Sequence, residues 1–84
     1  MINGRMLRII HYLYNKKDTT FKDISKDLDI KERLIRYDIE KINDFLEIQK
    51  SPIIQKLPKG RLLFPEVLTL KDFEQEHEFI YTQD

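Results

Sequence analysis

Apolar side chains recur along the first half of the chain at helical spacing. Met6, Ile10 and Leu13 stand at i, i+4 and i+7, with Leu7 and Tyr14 beside them and Asn3 placed to cap, which predicts a first helix over about 4–15. Asn15-Lys16-Lys17-Asp18-Thr19 breaks the period and is read as a polar turn. Thr20-x-x-Asp23 then resembles a capping box with Asp in the Glu position, and Phe21, Ile24 and Leu28 continue at i, i+3, i+7. This predicts a second, two-turn helix closed by Asp27-Leu28-Asp29, too short to persist without packing. A third helix is expected over 32–47, where Ile35, Ile39, Ile42 and Leu46 follow at spacings of four, three and four. Advancing about 100° per residue puts these four on one face, while Arg33, Tyr37, Glu40 and Asp44 fall opposite and Arg36 and Lys41 flank them.

Beyond Ser51-Pro52 the period changes from helical to extended. Ile53–Leu57 and Arg61–Phe64, separated by Pro58-Lys59-Gly60, read as two short strands of a β-hairpin over 53–64. Thr69-x-x-Asp72 is a further capping signal, and Leu70, Phe73, His77, Ile80 and Tyr81 keep helical spacing, predicting a fourth helix in an acidic stretch. There is no internal repeat and no low-complexity tract.

Composition narrows the function classes. Eighty-four residues amount to one small domain with little room for a deep catalytic pocket. With no Cys, neither a disulfide framework nor a thiolate zinc site is open, which suits a reducing cytoplasm. No apolar run approaches the ~18 residues needed to span a bilayer, and Met1-Ile2-Asn3 opens no signal peptide. His11 and His77 have no metal-ligand spacing around them, and Gly4 and Gly60 are the only glycines, so no phosphate-cradling loop can be built. No enzyme, metal or cofactor is expected. The net charge is zero, but it is unevenly spread: residues 1–63 carry fourteen Lys/Arg against nine Asp/Glu, and residues 64–84 one Lys against six Asp/Glu. A basic body suggests a polyanionic partner and an acidic end a linker or an interface.

Three helices, the second short and tightly linked to the third, followed by a hairpin, match the element order of a winged helix-turn-helix. The stretch from Asp27 to Leu46, DLDIKERLIRYDIEKINDFL, resembles the bacterial pattern LxVSxRTIRxDIxxLNxxL. That pattern is found in DeoR-type repressors and, nearest in "YDIEKIN", in the N-terminal helix-turn-helix of MtlR/LicR/Mga-like, BglG-family regulators and antiterminators that carry phosphotransferase-system regulation domains. Arg5, Ile10 and Leu13 upstream and the Gly60 hairpin downstream extend the resemblance over 1–64. Three positions depart from it. The Ser N-cap is Lys31, at a cost of about 1 kcal/mol to helix stability. The Thr before the core Ile is Leu34, suited to a thymine methyl. The "GKGY" of the wing is Lys59-Gly60-Arg61-Leu62, in which Gly60 serves a turn needing positive φ.

The resemblance implies a mainly α fold with a small β-hairpin, a three-helix core plus a two-stranded wing over 1–64, and an acidic linker or dimerisation helix over 65–84. It implies sequence-specific binding to double-stranded DNA by a cytoplasmic, dimeric transcriptional regulator whose sensing domains lie outside these residues. The recognition helix would enter the major groove with its N-terminal half. Arg33 and Arg36 would then read guanine, and Lys31, Leu34, Tyr37 and Lys41 would touch bases or backbone. Lys22 and Lys26 on the second helix, and Lys56, Lys59 and Arg61 on the wing, would hold phosphates. Asp38, at the edge of the buried face, reads as a structural pairing group. Other uses stay open. The arginines could be helix-surface charges paired with Glu32, Glu40 or Asp29, and the wing cations could guard an edge strand. The whole could be a winged-helix protein-interaction module, or a stand-alone regulator dimerising through Leu70, Phe73, Ile80 and Tyr81. RNA binding is a weaker third option.

Overall fold

The computed structural model describes residues 2–74. The first helix, α1 (Gly4–Asn15), starts where Asn3 Oδ1 accepts from the Met6 N–H at 2.9 Å, and it buries Met6, Ile9, Ile10 and Leu13. The expected polar turn after it is instead a strand, β1 (Asp18–Thr20), with Thr19 buried. Its β-branched pair of threonines suits a pleated surface, but three residues are too few to show a period of two in the sequence. Helix α2 (Phe21–Leu28) begins at Thr20, whose Oγ1 accepts from the Asp23 N–H at 3.0 Å. It ends at Asp29 in the left-handed region, φ 56° and ψ 49°.

Helix α3 (Glu32–Ile48) follows, burying Ile35, Asp38, Ile39, Ile42, Asn43 and Leu46. Lys31 gives its start no side-chain cap, as the sequence implied. Two more strands complete the sheet, β2 (Gln55–Leu57) and β3 (Arg61–Leu63), joined by a turn over Pro58–Gly60. Ile53 and Ile54, expected in the first of these strands, lie outside its ladder. Both Lys59 (φ 64°) and Gly60 (φ 73°) are left-handed in that turn, so the positive φ required of Gly60 is present.

The sheet is three-stranded and antiparallel in the order β1-β3-β2, so the expected two-stranded hairpin is the larger part of it. Thr19 pairs with Leu62 and Lys56 with Leu62 from the other side, and Leu62 points into the core. The architecture is therefore mainly helical, three helices with a small antiparallel sheet. One core unites Ile9, Ile10 and Leu13 of α1, Phe21 and Ile24 of α2, the α3 isoleucines, and Ile54, Leu62 and Phe64.

Leu68 and Phe73 belong to the same core, and Phe73 stacks on Phe45 with ring centroids 6.1 Å apart. Thus residues 65–74, placed in the sequence with the acidic linker, share the packing of the body. Phe73, a candidate dimer contact, is spent on the chain's own interior and Leu70 is half-buried. The fourth capping signal opens only a short 3-10 turn, Leu70–Phe73, in which Asp72 accepts from the Thr69 N–H at 2.8 Å. The rest of the expected helix, with His77, Ile80 and Tyr81, lies outside the described residues. Among the described residues no helix is long and apolar enough to cross a membrane.

Candidate nucleic-acid interface

Five side-chain contacts fix α3 and the turn before it relative to the rest of the body. On the α1 side, Arg5 clasps Asp38 with Nε at 2.6 Å and Nη2 at 2.9 Å, and the carboxylate is fully buried. The hydrogen bond to Asp38 is the main cause of a raised Arg5 pKa, which keeps the guanidinium charged. Asp38 is thus the structural group that its position on the helix suggested. On the sheet side, the Asn43 amide donates to Ile54 O at 3.0 Å and accepts from the Ile54 N–H at 2.8 Å, doing for Ile54 what a neighbouring strand would. At the α2–α3 turn, Ser25 Oγ donates to Ile30 O at 2.6 Å, and Arg8 reaches from α1 to Leu28 O at 2.9 Å. Finally, the Arg36 guanidinium lies 4.1 Å from the centroid of the Phe21 ring, and Gly60 abuts the same ring.

Lys41 apart, these contacts sort the predicted cations into two groups. Some already have anionic partners. Arg36 is 3.8 Å from Glu32 Oε1 as well as stacked on Phe21. Arg61 donates twice to Asp18, at 2.9 and 3.4 Å, a diagonal pair across β1 and β3. Lys56 is 3.8 Å from Glu40 and so bridges β2 to α3. In the second group are Lys22, Lys26, Lys31, Arg33 and Lys59, all exposed and without an anion in ion-pair range among the described residues. Lys22 and Lys26 are one turn apart on α2, Lys31 and Arg33 sit at the uncapped start of α3, and Lys59 is at the turn between β2 and β3.

The remaining candidates divide differently. Leu34 is half-buried against the core, leaving only part of its side chain for an outside contact. Tyr37 is 55% exposed, and the Lys41 ammonium lies 5.4 Å from its ring centroid. Tyr37 stands one helical turn beyond Arg33 on the same face of α3, and Lys41 a turn further. Sequence reasoning did not anticipate Arg8, Ser25 or the double use of Phe21. Asp18 and Arg61 are separated by 43 residues, so no local pattern announces their pairing.

At the far end of α1, Tyr12 donates to Asp27 at 2.6 Å. Burial first, and then that hydrogen bond, raises the phenol above its ordinary pKa. This clamps α1 to the end of α2 and has no role at the cationic face.

A free guanidinium and four free ammonium groups on neighbouring elements can hold an extended polyanion, and Arg33 can in addition present a planar fork to a base edge. Comparison of the chain with family models, with curated proteins and with solved structures finds no match.

Proposed function

We propose that the chain is a winged helix-turn-helix that binds double-stranded DNA as the head of a bacterial transcriptional regulator. In this reading α3 lies in the major groove, and the turn at 58–60 follows the backbone or the adjoining minor groove. The observation that carries the reading is that five of the predicted cations, Lys22, Lys26, Lys31, Arg33 and Lys59, are exposed and have no ion pair among the described residues, on α2, the start of α3 and the β2–β3 turn. The element order α1-β1-α2-α3-β2-β3 with its β1-β3-β2 sheet supports it. So does the resemblance of residues 27–46 to DeoR-type and MtlR/LicR/Mga-like heads.

The ion pairs refine the division of labour. Arg33 is the principal base reader, since Arg36 would have to leave Phe21 and Glu32 to reach a guanine. Lys59 is the phosphate contact of the wing, because Asp18 and Glu40 already neutralise Arg61 and Lys56. Fluorescence anisotropy with a random-sequence duplex, across about 50–200 mM salt, is the test. A log–log slope of several units is expected. Lys59→Ala should lower it by about one, whereas Arg61→Ala leaves it unchanged. On a selected operator, Arg33→Ala should cost ~1–3 kcal/mol of discrimination at one base pair. No binding at the lowest salt sinks the proposal.

A further inference from the structure

The outer surface of the sheet carries an apolar residue where alternation would place a polar one. Along β3, Leu62 and the following Phe64 are buried in the core and Arg61 is exposed, so Leu63 belongs to the outward face, yet it is half-buried. In the ladder Leu63 stands between Asp18 of β1 and Gln55 of β2. A groove of about 440 Å³ opens there, lined by Leu63 and Phe64 and by Pro52, Ile53 and Pro65. Ligand sites ordinarily enclose ~300–1,000 Å³ and are mostly apolar, with a few polar groups to orient what they hold.

The orienting group here is Lys17, which also lines the groove. Its ammonium lies 4.2 Å from the Tyr14 ring centroid and 5.3 Å from that of Phe64, with no anion in ion-pair range among the described residues. Its backbone is held too, since the Phe64 N–H donates to Lys17 O at 2.8 Å. An incoming anion would therefore meet a cation already seated on two rings and would not have to order a free lysine chain. Two carboxylates share the lining. Asp18 is engaged by Arg61, at 2.9 and 3.4 Å, whereas Glu66 is exposed and has no ion pair among the described residues.

We propose that the groove binds a small apolar monocarboxylate, its carboxylate on Lys17 Nζ and its hydrocarbon body over Leu63, Ile53 and the two prolines. One seated cation matches one negative charge, and the apolar lining matches a branched or aromatic body. Glu66 opposes a second anionic group, so a phosphate-rich chain is a poorer occupant. Leu63 and Gln55 are at the ends of β3 and β2 remote from the turn at 58–60, so the groove can be filled while Lys59 is engaged elsewhere. The proposal does not depend on the DNA reading.

Titration of the nitrogen-15-labelled 84-residue chain with phenylacetate to about 20 mM, at fixed ionic strength and followed by amide NMR shifts, tests it. Saturable shifts are expected at residues 17–18, 52–55 and 63–66, with a Kd on the order of 1 mM for so small a ligand. Phenylacetamide, the same body without the charge, should bind about fivefold more weakly. Lys17→Met keeps the stem over the rings and should weaken phenylacetate by a similar factor without affecting the amide, while Lys17→Arg stays within about twofold of the parent chain. Glu66→Gln should tighten phenylacetate about twofold. The dispersion of the same spectra verifies that each variant is folded. No saturable shift by 20 mM, or shifts centred elsewhere, overturns the proposal. So does equal affinity for acid and amide, or a Lys17→Met chain that still prefers the acid, since the occupant would then be an uncharged apolar side chain of a partner or the anion would be held by another residue.

Discussion

Replacing Asn43 tests whether one buried amide carries the junction between α3 and the sheet. Asn43 is 9% exposed and Ile54 1%, and the amide supplies both hydrogen-bond partners of the Ile54 backbone, at 3.0 and 2.8 Å. The partners also fix the orientation of the amide, since an N–H needs its oxygen and a C=O its nitrogen. In Asn43→Ala two buried backbone groups lose their partners, each at a cost of ~1–3 kcal/mol. Part of that is returned because the amide no longer has to be desolvated, which leaves a net loss of about 2–4 kcal/mol. For a chain of this size that lowers the thermal midpoint by roughly 10–30 °C. Urea unfolding followed by far-ultraviolet circular dichroism measures the loss, with an unchanged slope expected. Glu47→Ala, on the exposed side of the same helix, should stay within about 0.5 kcal/mol and serves as control.

Asn43→Asp adds a sign to the test. The introduced carboxylate still accepts from the Ile54 N–H, but it has no hydrogen for Ile54 O and sets charge against a carbonyl in a dry site. Burial raises its folded pKa above the unfolded value, so its neutral form is favoured in the native state. Its deficit relative to the parent chain should therefore be greatest at neutral pH and shrink as pH falls below about 5. A loss under ~0.5 kcal/mol in Asn43→Ala, or a pH-independent deficit in Asn43→Asp, refutes the reasoning.

Lys31→Ser should stabilise the chain by about 1 kcal/mol, because α3 begins without a side-chain cap; thermal unfolding reads the gain, and a lower midpoint would mean that Lys31 has a stabilising role of its own. Tyr12 titrates from a raised pKa, so its contribution is complete below about 10 and disappears as pH rises through the folded value. Tyr12→Phe should therefore be less stable at neutral pH yet lose less on the alkaline side, and parallel alkaline limbs in the two proteins would contradict the assignment.

What could be read from the sequence was local. Helical periodicity located α1, α2 and α3, and the capping residues Asn3 and Thr20 announced two of their starts. The position of Asp38 on the edge of the buried stripe also foretold that it needs a partner. What could not be read depends on long-range contacts. β1 becomes a strand because β3, more than 40 residues later, pairs with it. The same strand delivers Asp18 to Arg61 and so removes a wing cation from the free set. The fourth capping signal at Thr69 was real, but Phe73 is drawn into the core against Phe45 and Phe64 within the first turn. Packing, not propensity, shapes that segment over the described residues.

The charges therefore have to be counted after folding, because proximity decides which of them cancel. Asp38, Glu32, Glu40 and Asp18 each take a cation out of the basic body, and three of these four pairings join different elements, α1 to α3, α3 to β2 and β1 to β3. Of these pairs only Arg5 with Asp38 has a fully buried member. The others are exposed and contribute little stability, so their larger effect is to leave Lys22, Lys26, Lys31, Arg33, Lys41 and Lys59 as the predicted cations whose field no ion-paired anion opposes among the described residues. The backbone beneath that field is held before any partner arrives, by Arg5–Asp38, Asn43–Ile54 and Ser25–Ile30. A duplex would then have to order only the ends of a few long side chains, and the entropy cost of ordering α3 would already have been met in folding. On that account Asn43→Ala should weaken duplex binding even at temperatures where most of the chain is folded, although residue 43 is buried and touches no ligand. Anisotropy at low temperature, with the folded fraction measured on the same sample, separates that effect from simple unfolding. Unchanged affinity per folded molecule would show that the junction supports the fold without orienting the cationic face.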